Sequence, residues 1–455
     1  MDNYDFLSVI DEKKDWLDSI ADYLWENPET GGNEEKASSY FRRLMGESGF
    51  TIHNEPRLPH AFYAEYGSGK PVIAITGEYD ALPGLSQKAC PEKAPLQPGA
   101  PGHGCGHNLL GAAAAVAAIA VKHMLEDENL PGTIRFYGCP EEELLSGKVK
   151  MVHYHMFDDV DFALTWHPMC STQVWDGGAL ANTSARFYFK GRSSHAAVAP
   201  EKGRSALDAV ELMNVGVNYL REHVIDKARI HYTTNSGGTV PNIVPEKADS
   251  WYYIRAPHIR SVKEILERVK KVAQGAALMT ETEVEILVEG GCCEIAPNHA
   301  FANLVQENLL AAPRPEFTEE ELAFAAKIQE SIDPATLARD RQLFGSGDSP
   351  MMTHVGERDL YVKTPLTAST DCGDVSFVVP MHMFASACWP VGTSPHTWQA
   401  AATNGTTLAE KGALYAARVL AATVQDLLTC PERAEAIRAE FEAGKDPNYE
   451  PMVRA

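Results

Sequence analysis

Basic residues are the scarce class in this sequence. Its 455 residues hold 40 Lys and Arg against 62 Asp and Glu, a formal charge of −22 at pH 7. Nucleic acid and anionic bilayers reward clustered positive charge, so neither is expected as a partner. A small anionic substrate stays open, because one local arginine can serve it. Long apolar runs are missing too. The longest, "LLGAAAAVAAIAV" from Leu109 to Val121, is too short to span a bilayer and predicts a buried helix. The opening "MDNYDFLSVIDEKKDWL" has acids where a secretion signal is basic, so no leader is expected. Nine cysteines, an odd number, without such a signal point to reduced thiols in a cytoplasm. Internal repeats and low-complexity segments are absent.

What is present describes an ordinary globular chain, 44% hydrophobic and 22% charged, long enough for two domains. In the first third, "KPVIAITGEYD", "TIRFYGCPEEE" and "DFALTWHP" each read as a buried strand followed by polar residues. Open α/β sheets build active sites at that place, the carboxyl ends of strands. From about Thr183 the texture changes: "ARFYFKG", "SALDAVELMNVGVNYLREHV", "ARIHYTT", "KADSWYYIRAP", "SVKEILERVKKVAQGAALM" and "EVEILVEG" follow the order βαββαβ. That order predicts a ferredoxin-like unit inserted into a larger domain. The expected division is residues 1–181 and 296–455 for the two parts of the larger domain and 182–295 for the insertion.

The densest chemistry lies in "PGHGCGHNLLG", Pro101 to Gly111. Cys105 and His107 are separated by one glycine, which permits a tight bend bringing both side chains to one point. Thiolate with imidazole suits zinc, or manganese where carboxylates complete the set. Glu141, Glu142 and Glu143 follow a strand at "GCPEEE", His167 follows "DFALTW", and His396 sits in the loop "SPHTWQ". Each has a plainer reading taken alone. A cysteine packs in a core, three acids make a solvated turn, and a lone histidine caps or fills. Together these sites match the ligand inventory of a two-metal hydrolase.

In chain order, "GEYDALPG", "GHGCGHNLLG", "GCPEEE", "WHP", "GRSSHAA", "PNIVPE", "STDCGD" and "PHTWQ" resemble the dinuclear metallo-amidohydrolases of the aminoacylase and carboxypeptidase G superfamily. The branch of auxin-conjugate and hippurate hydrolases matches, from about residue 77 to 399. The resemblance implies an α/β catalytic domain, with a central mixed sheet flanked by helices. The βαββαβ insertion becomes its lid and dimerisation domain.

The resemblance also implies two divalent ions per subunit, Mn²⁺ or Zn²⁺, held by Cys105, His107, Glu143, His167 and His396, with the cysteine sulfur bridging them. Glu142 is the implied general base. His195 donates to the oxyanion from the partner subunit of a homodimer formed through the lid. Asn242 and Arg255 bind the substrate carboxylate; a salt bridge on the sheet face is the plainer reading of Arg255. His103 falls outside the ligand pair, as a loop residue. Asp80 is suited to orient His107, since a metal-bound imidazole needs an acceptor on its other nitrogen, and Glu78, Asp371 and Asp374 are further supporting acids. Three positions depart from the family pattern: Asn108 replaces the Asp of "CGHD", Glu78 replaces the Asp before "DALP", and Glu141 stands where a small uncharged residue is usual. The implied reaction is hydrolysis of the amide bond of an N-acyl amino acid, in particular an N-aroyl one such as p-aminobenzoyl-glutamate. A dipeptidase or auxin-conjugate-type amidohydrolase of the same family, a non-catalytic member of a hetero-oligomer with a related chain, and a structural zinc protein are the alternatives.

Overall fold

The apolar runs that end in acids become strands buried along their whole length. Six strands precede the insertion: β1 (Thr51–Asn54), β2 (Phe62–Ser68), β3 (Val72–Glu78), β4 (Gly132–Cys139), β5 (Phe162–Met169) and β6 (Gln173–Val174). The insertion contributes β7 (Ala181–Lys190), β8 (Arg229–Ser236), β9 (Lys247–Ala256) and β10 (Glu283–Cys292). The chain then returns to the first sheet with β11 (Met381–Ala387). This computed structural model describes residues 6–176, 179–358, 360 and 368–453. They divide into two units, one of Met1–Gly177, Ala296–Pro365 and Val375–Tyr449, the other of Gly178–Ile295, Leu366–Asp374 and Glu450–Ala455.

The first unit holds a seven-stranded mixed sheet in the order β1-β2-β4-β3-β5-β11-β6. Its centre is parallel, β4 beside β3, β3 beside β5 and β5 beside β11, while β1, β2 and β6 pair antiparallel. Strands β3, β4 and β11 are buried at every position, as parallel strands covered on both faces must be. The alanine-rich run forms the helix His107–Asp127, buried at every residue from His107 to Val121. Alanine is the strongest helix former, and a helix apolar all round belongs inside a core. By length and composition this helix could cross a membrane, but 89% of its apolar window is buried within the protein. It packs against β3, β4 and β5 and against the helix Thr407–Thr429.

In the second unit the order βαββαβ is found, with helices Ala206–Leu220 and Ile259–Thr280 between the strands. The four-stranded antiparallel sheet runs β10-β7-β9-β8, the strand order of a ferredoxin-like unit. Phe187, Tyr252 and Ile254 of the sheet and Val210, Met213, Val217, Val262 and Val269 of the helices share one core.

Candidate metal centre and catalytic residues

The sheet delivers the chemistry at the carboxyl ends of its parallel strands. Glu78 ends β3 and stands in register with Cys139 at the end of β4. Asp80 follows the first, the Glu141–Glu143 turn follows the second, and His167 lies near the end of β5. Gly106 opens the long helix at φ 82°, a left-handed value that favours glycine. A side chain there would also stand 2.5 Å from the Pro168 ring. That glycine lets Cys105 and His107 turn to the same point. His396 enters at φ 62°, its N–H donating to the Gly104 carbonyl at 2.9 Å.

Three groups of possible ligand atoms overlap at Cys105 or His107, each with its members within 4.8 Å of one another: Cys105, His107 and His167; Cys105, Glu143 and His396; Glu78, His107 and Glu142. The thiol is common to the first two. Its sulfur is 3.4 Å from His167 Nε2, and His396 Nε2 is 3.3 Å from Glu143 Oε2. His107 donates from Nδ1 to Asp80 Oδ1 at 2.9 Å, leaving Nε2 buried and without a hydrogen bond. That nitrogen lies 3.2 Å from Glu78 Oε2 and 3.8 Å from Glu142 Oε2. His167 likewise donates from Nδ1, to the Pro168 carbonyl at 2.8 Å, between the rings of Trp175 and Trp389.

These residues fit a pair of divalent cations. Two imidazoles turn Nε2 atoms inward. Burial pushes His167 down to about 4, so its ring is neutral at pH 7, whereas burial of His107 is outweighed by Cys105 and Asp80, which raise it. Burial pushes the Glu143 carboxyl up to about 7, and its Oε1 is buried with no hydrogen-bond partner. Burial and the Glu143 charge also raise the Cys105 thiol. A thiol and several carboxyls gathered out of water call for positive charge.

Lys148 supplies some of that charge. Its ammonium donates to Glu78 Oε1 at 2.7 Å, with both side chains almost wholly buried. Burial opposes ionisation of Glu78, yet Lys148 and His107 hold it down at about 2. Sequence reasoning missed Lys148, one of two lysines in "GKVKMVH", and missed Glu34, which is buried and accepts from the Glu141 N–H at 2.8 Å. Neither carries a local signal. Glu141 is explained by an ion pair with Lys150 and a 2.6 Å bond from Ser146. Asn108 donates to the carbonyls of Ala21 and Asn404, so it ties the helix start to its surroundings. His103 is buried, with Nε2 3.1 Å from the Leu24 carbonyl.

The remaining expected residues belong to the second unit. His195 and Asn242 are neighbours, joined by the bridge His195–Ile243 and the Ala196 N–H to Asn242 carbonyl bond at 3.0 Å. His195 Nδ1 accepts from the N–H groups of Ala197 and Val198, both at 3.2 Å, which leaves the proton on Nε2. Arg255, on β9, donates to Ser369 Oγ at 3.2 Å. Asp371 is buried, and Asp374 accepts from the Cys293 N–H at 2.9 Å.

Known proteins resemble this chain in sequence and in fold. A family model described as the peptidase dimerisation domain of M20 enzymes matches residues 181–280. One of the subunits of the p-aminobenzoyl-glutamate hydrolase of Escherichia coli strain K12 is 46% identical over 427 residues, covering 90% of this chain and 88% of that one. The chain belongs to the M20 peptidase family. Membership makes it an amide-bond hydrolase with the catalytic and dimerisation domains of that family. The Xaa-Arg dipeptidase of Mus musculus is 27% identical over 95% of this chain and 90% of its own length. Among solved structures, an aminohydrolase of methicillin-resistant Staphylococcus aureus shares the fold at TM-score 0.65 and 16% identity, over 93% of this chain and 99% of that one. A dinuclear metal-binding M20 peptidase of Bacillus subtilis shares it at 0.58 and 19%, over 92% and 99%.

Proposed function

We propose that this chain hydrolyses the amide bond of N-acyl amino acids, above all N-aroyl ones such as p-aminobenzoyl-glutamate. The observation that carries the reading is the convergence of Cys105, His107, Glu143, His167 and His396 around a shared thiol, with Glu142 beside them. The substrate class comes from the likeness to the E. coli p-aminobenzoyl-glutamate hydrolase. Bound at these donors, two divalent cations such as Mn²⁺ or Zn²⁺ supply Lewis acidity to the attacking water and to the amide carbonyl. Glu142 takes the proton of that water as its oxygen bonds to the amide carbon, and returns it to the nitrogen when the C–N bond breaks. His195, with its proton on Nε2, donates to the oxyanion. Asn242 and Arg255 hold the substrate carboxylate, for which the guanidinium fork is suited. Asp80 and Glu78 flank His107, the first fixing its tautomer; Asp371 is a further supporting acid.

Two copies pair through the lid, residues 182–295, between the catalytic parts 1–181 and 296–455. The dimerisation-domain match over 181–280 supports this. All nine cysteines are free, in keeping with a reducing cytoplasm. A second reading, a chain that works only with a related partner, is favoured by one observation: the E. coli relative is named as one subunit of its enzyme, not as the whole.

The test is turnover by the purified protein on p-aminobenzoyl-glutamate, N-benzoylglycine, indole-3-acetyl-aspartate and Xaa-Arg dipeptides, beside metal analysis. The expected result is turnover of the N-aroyl substrates with about two metal equivalents per chain. Glu142→Gln keeps the metal and loses at least about 10²-fold in kcat. Full metal occupancy without turnover on any substrate would shift the case to the second reading.

A further inference from the structure

Glu142 sits on a strained turn, and a carboxylate outside every donor group holds that turn. Glu141 has φ 59° and Leu145 φ 54°, left-handed values that residues with a Cβ avoid. The peptide N–H groups on either side of Glu142 are each claimed by a buried acid. Glu143 N–H donates to Asp80 Oδ2 at 2.8 Å, and Glu141 N–H donates to Glu34 Oε1 at 2.8 Å. Asp80 also holds His107, so it serves the metal centre directly. Glu34 touches none of the donors.

Glu34 is wholly buried, and its second oxygen has no hydrogen-bond partner. An unpartnered buried oxygen is a cost that an apolar side chain would remove. The Glu141 N–H gives the fold a reason to retain it. Gly31 lies against the same turn: a Cβ there would meet Leu144 Cγ at 3.0 Å and Glu141 Cα at 3.4 Å.

We propose that Glu34 is a positioning residue for the general base: by accepting from the Glu141 N–H, it fixes the left-handed turn that aims Glu142 at the metal centre. The inference rests on Glu142 being the base. Without Glu34, the Glu141 peptide relaxes toward negative φ and carries Glu142 with it. Glu143, still held by Asp80, keeps its place.

The experiment is a kinetic double-mutant cycle with metal analysis on the full-length metal-loaded protein. Glu34→Ala should keep its metal and KM and lose about 10- to 10²-fold in kcat, the effect of misplacing a reacting group by about an ångström. Glu34→Gln, which retains an acceptor oxygen, should recover most of that loss. In the Glu142→Gln background, Glu34→Ala should cost nothing further. Should Glu34→Ala not fold, Glu34→Met, of similar reach but without an acceptor, takes its place. Loss of metal in Glu34→Ala, failure of Glu34→Gln to rescue, or an equal kcat loss in the Glu142→Gln background would each overturn the assignment while leaving Glu142 as base. Near-normal turnover of Glu142→Gln alone would remove the base itself, and this inference with it.

Discussion

Strands β3, β4 and β11 of the first unit are buried at every position, whereas β7 and β9 of the second alternate and β8 buries only Ile230. The centre of the first sheet is covered on both faces, so charges at its strand ends are less screened by water. The second covers one face with two helices and leaves the other for contact. The ion pairs repeat the contrast. Lys148 and Glu78 are 0% and 3% exposed, while Arg186 and Glu289 are 25% and 24% exposed. One unit concentrates chemistry; the other supplies surface.

The largest expected effect falls on the first unit. Cys105→Ala removes the donor common to two ligand groups, and metal affinity should fall by more than about 10²-fold, beyond the loss typical of residues that merely support a ligand. Chelator competition measures it, with Cys90→Ala and Cys430→Ala as controls of unchanged affinity. Equal affinity in all three variants would break the assignment of the "CGH" loop.

Next comes the division of labour across a dimer. His195→Ala and Glu142→Ala chains, each nearly inactive, are unfolded together in equal amounts and refolded. If His195 serves the partner's site, about half the dimers are mixed and each holds one intact site, so activity returns to about a quarter of wild type. No recovery, with chain exchange verified by differential mass labelling, would confine His195 to its own chain.

The ion pairs sharpen the comparison energetically. In metal-free protein, Lys148→Met removes the ammonium that pairs with the buried Glu78, and should cost about 3–5 kcal/mol in denaturant unfolding. Glu289→Gln at the half-exposed pair of the second unit should cost no more than about 1 kcal/mol. Similar costs for both would erase the distinction drawn from burial.

The smallest effect is a pH dependence. Burial, with Asp18 and Asp22 close by, pushes the Glu410 carboxyl up to about 7, against an ordinary value of 4.5. Between those values the folded protein holds a proton that the unfolded chain has released, so this group makes stability fall as pH rises through the window. Glu410→Gln should therefore raise the thermal midpoint at pH 8 and leave it unchanged below about pH 4.5. A midpoint difference of the same size at pH 4 and pH 8 would assign the effect to packing instead.

The elements that were legible in the sequence share a property: their signal is local. Continuous apolar strands ending in acids, an alanine run too short for a bilayer and the βαββαβ alternation are periodicities of burial, which neighbours along the chain express together. The candidate metal ligands were legible because a glycine-spaced Cys and His, an acidic turn and two loop histidines occur in family order. Lys148 and Glu34 were not, because a lysine in "GKVKMVH" and a glutamate in "GGNEEK" look like surface residues.

By itself, then, the sequence determined the alternation of elements, the family and the residue types available for metal and base. Tertiary structure alone decided which acids are buried and what each one holds. Glu78 meets Lys148 across 70 residues, and Glu34 meets the Glu141 N–H across 107. A buried charge is tolerable only where a partner reaches it, and only the folded chain brings such distant partners together.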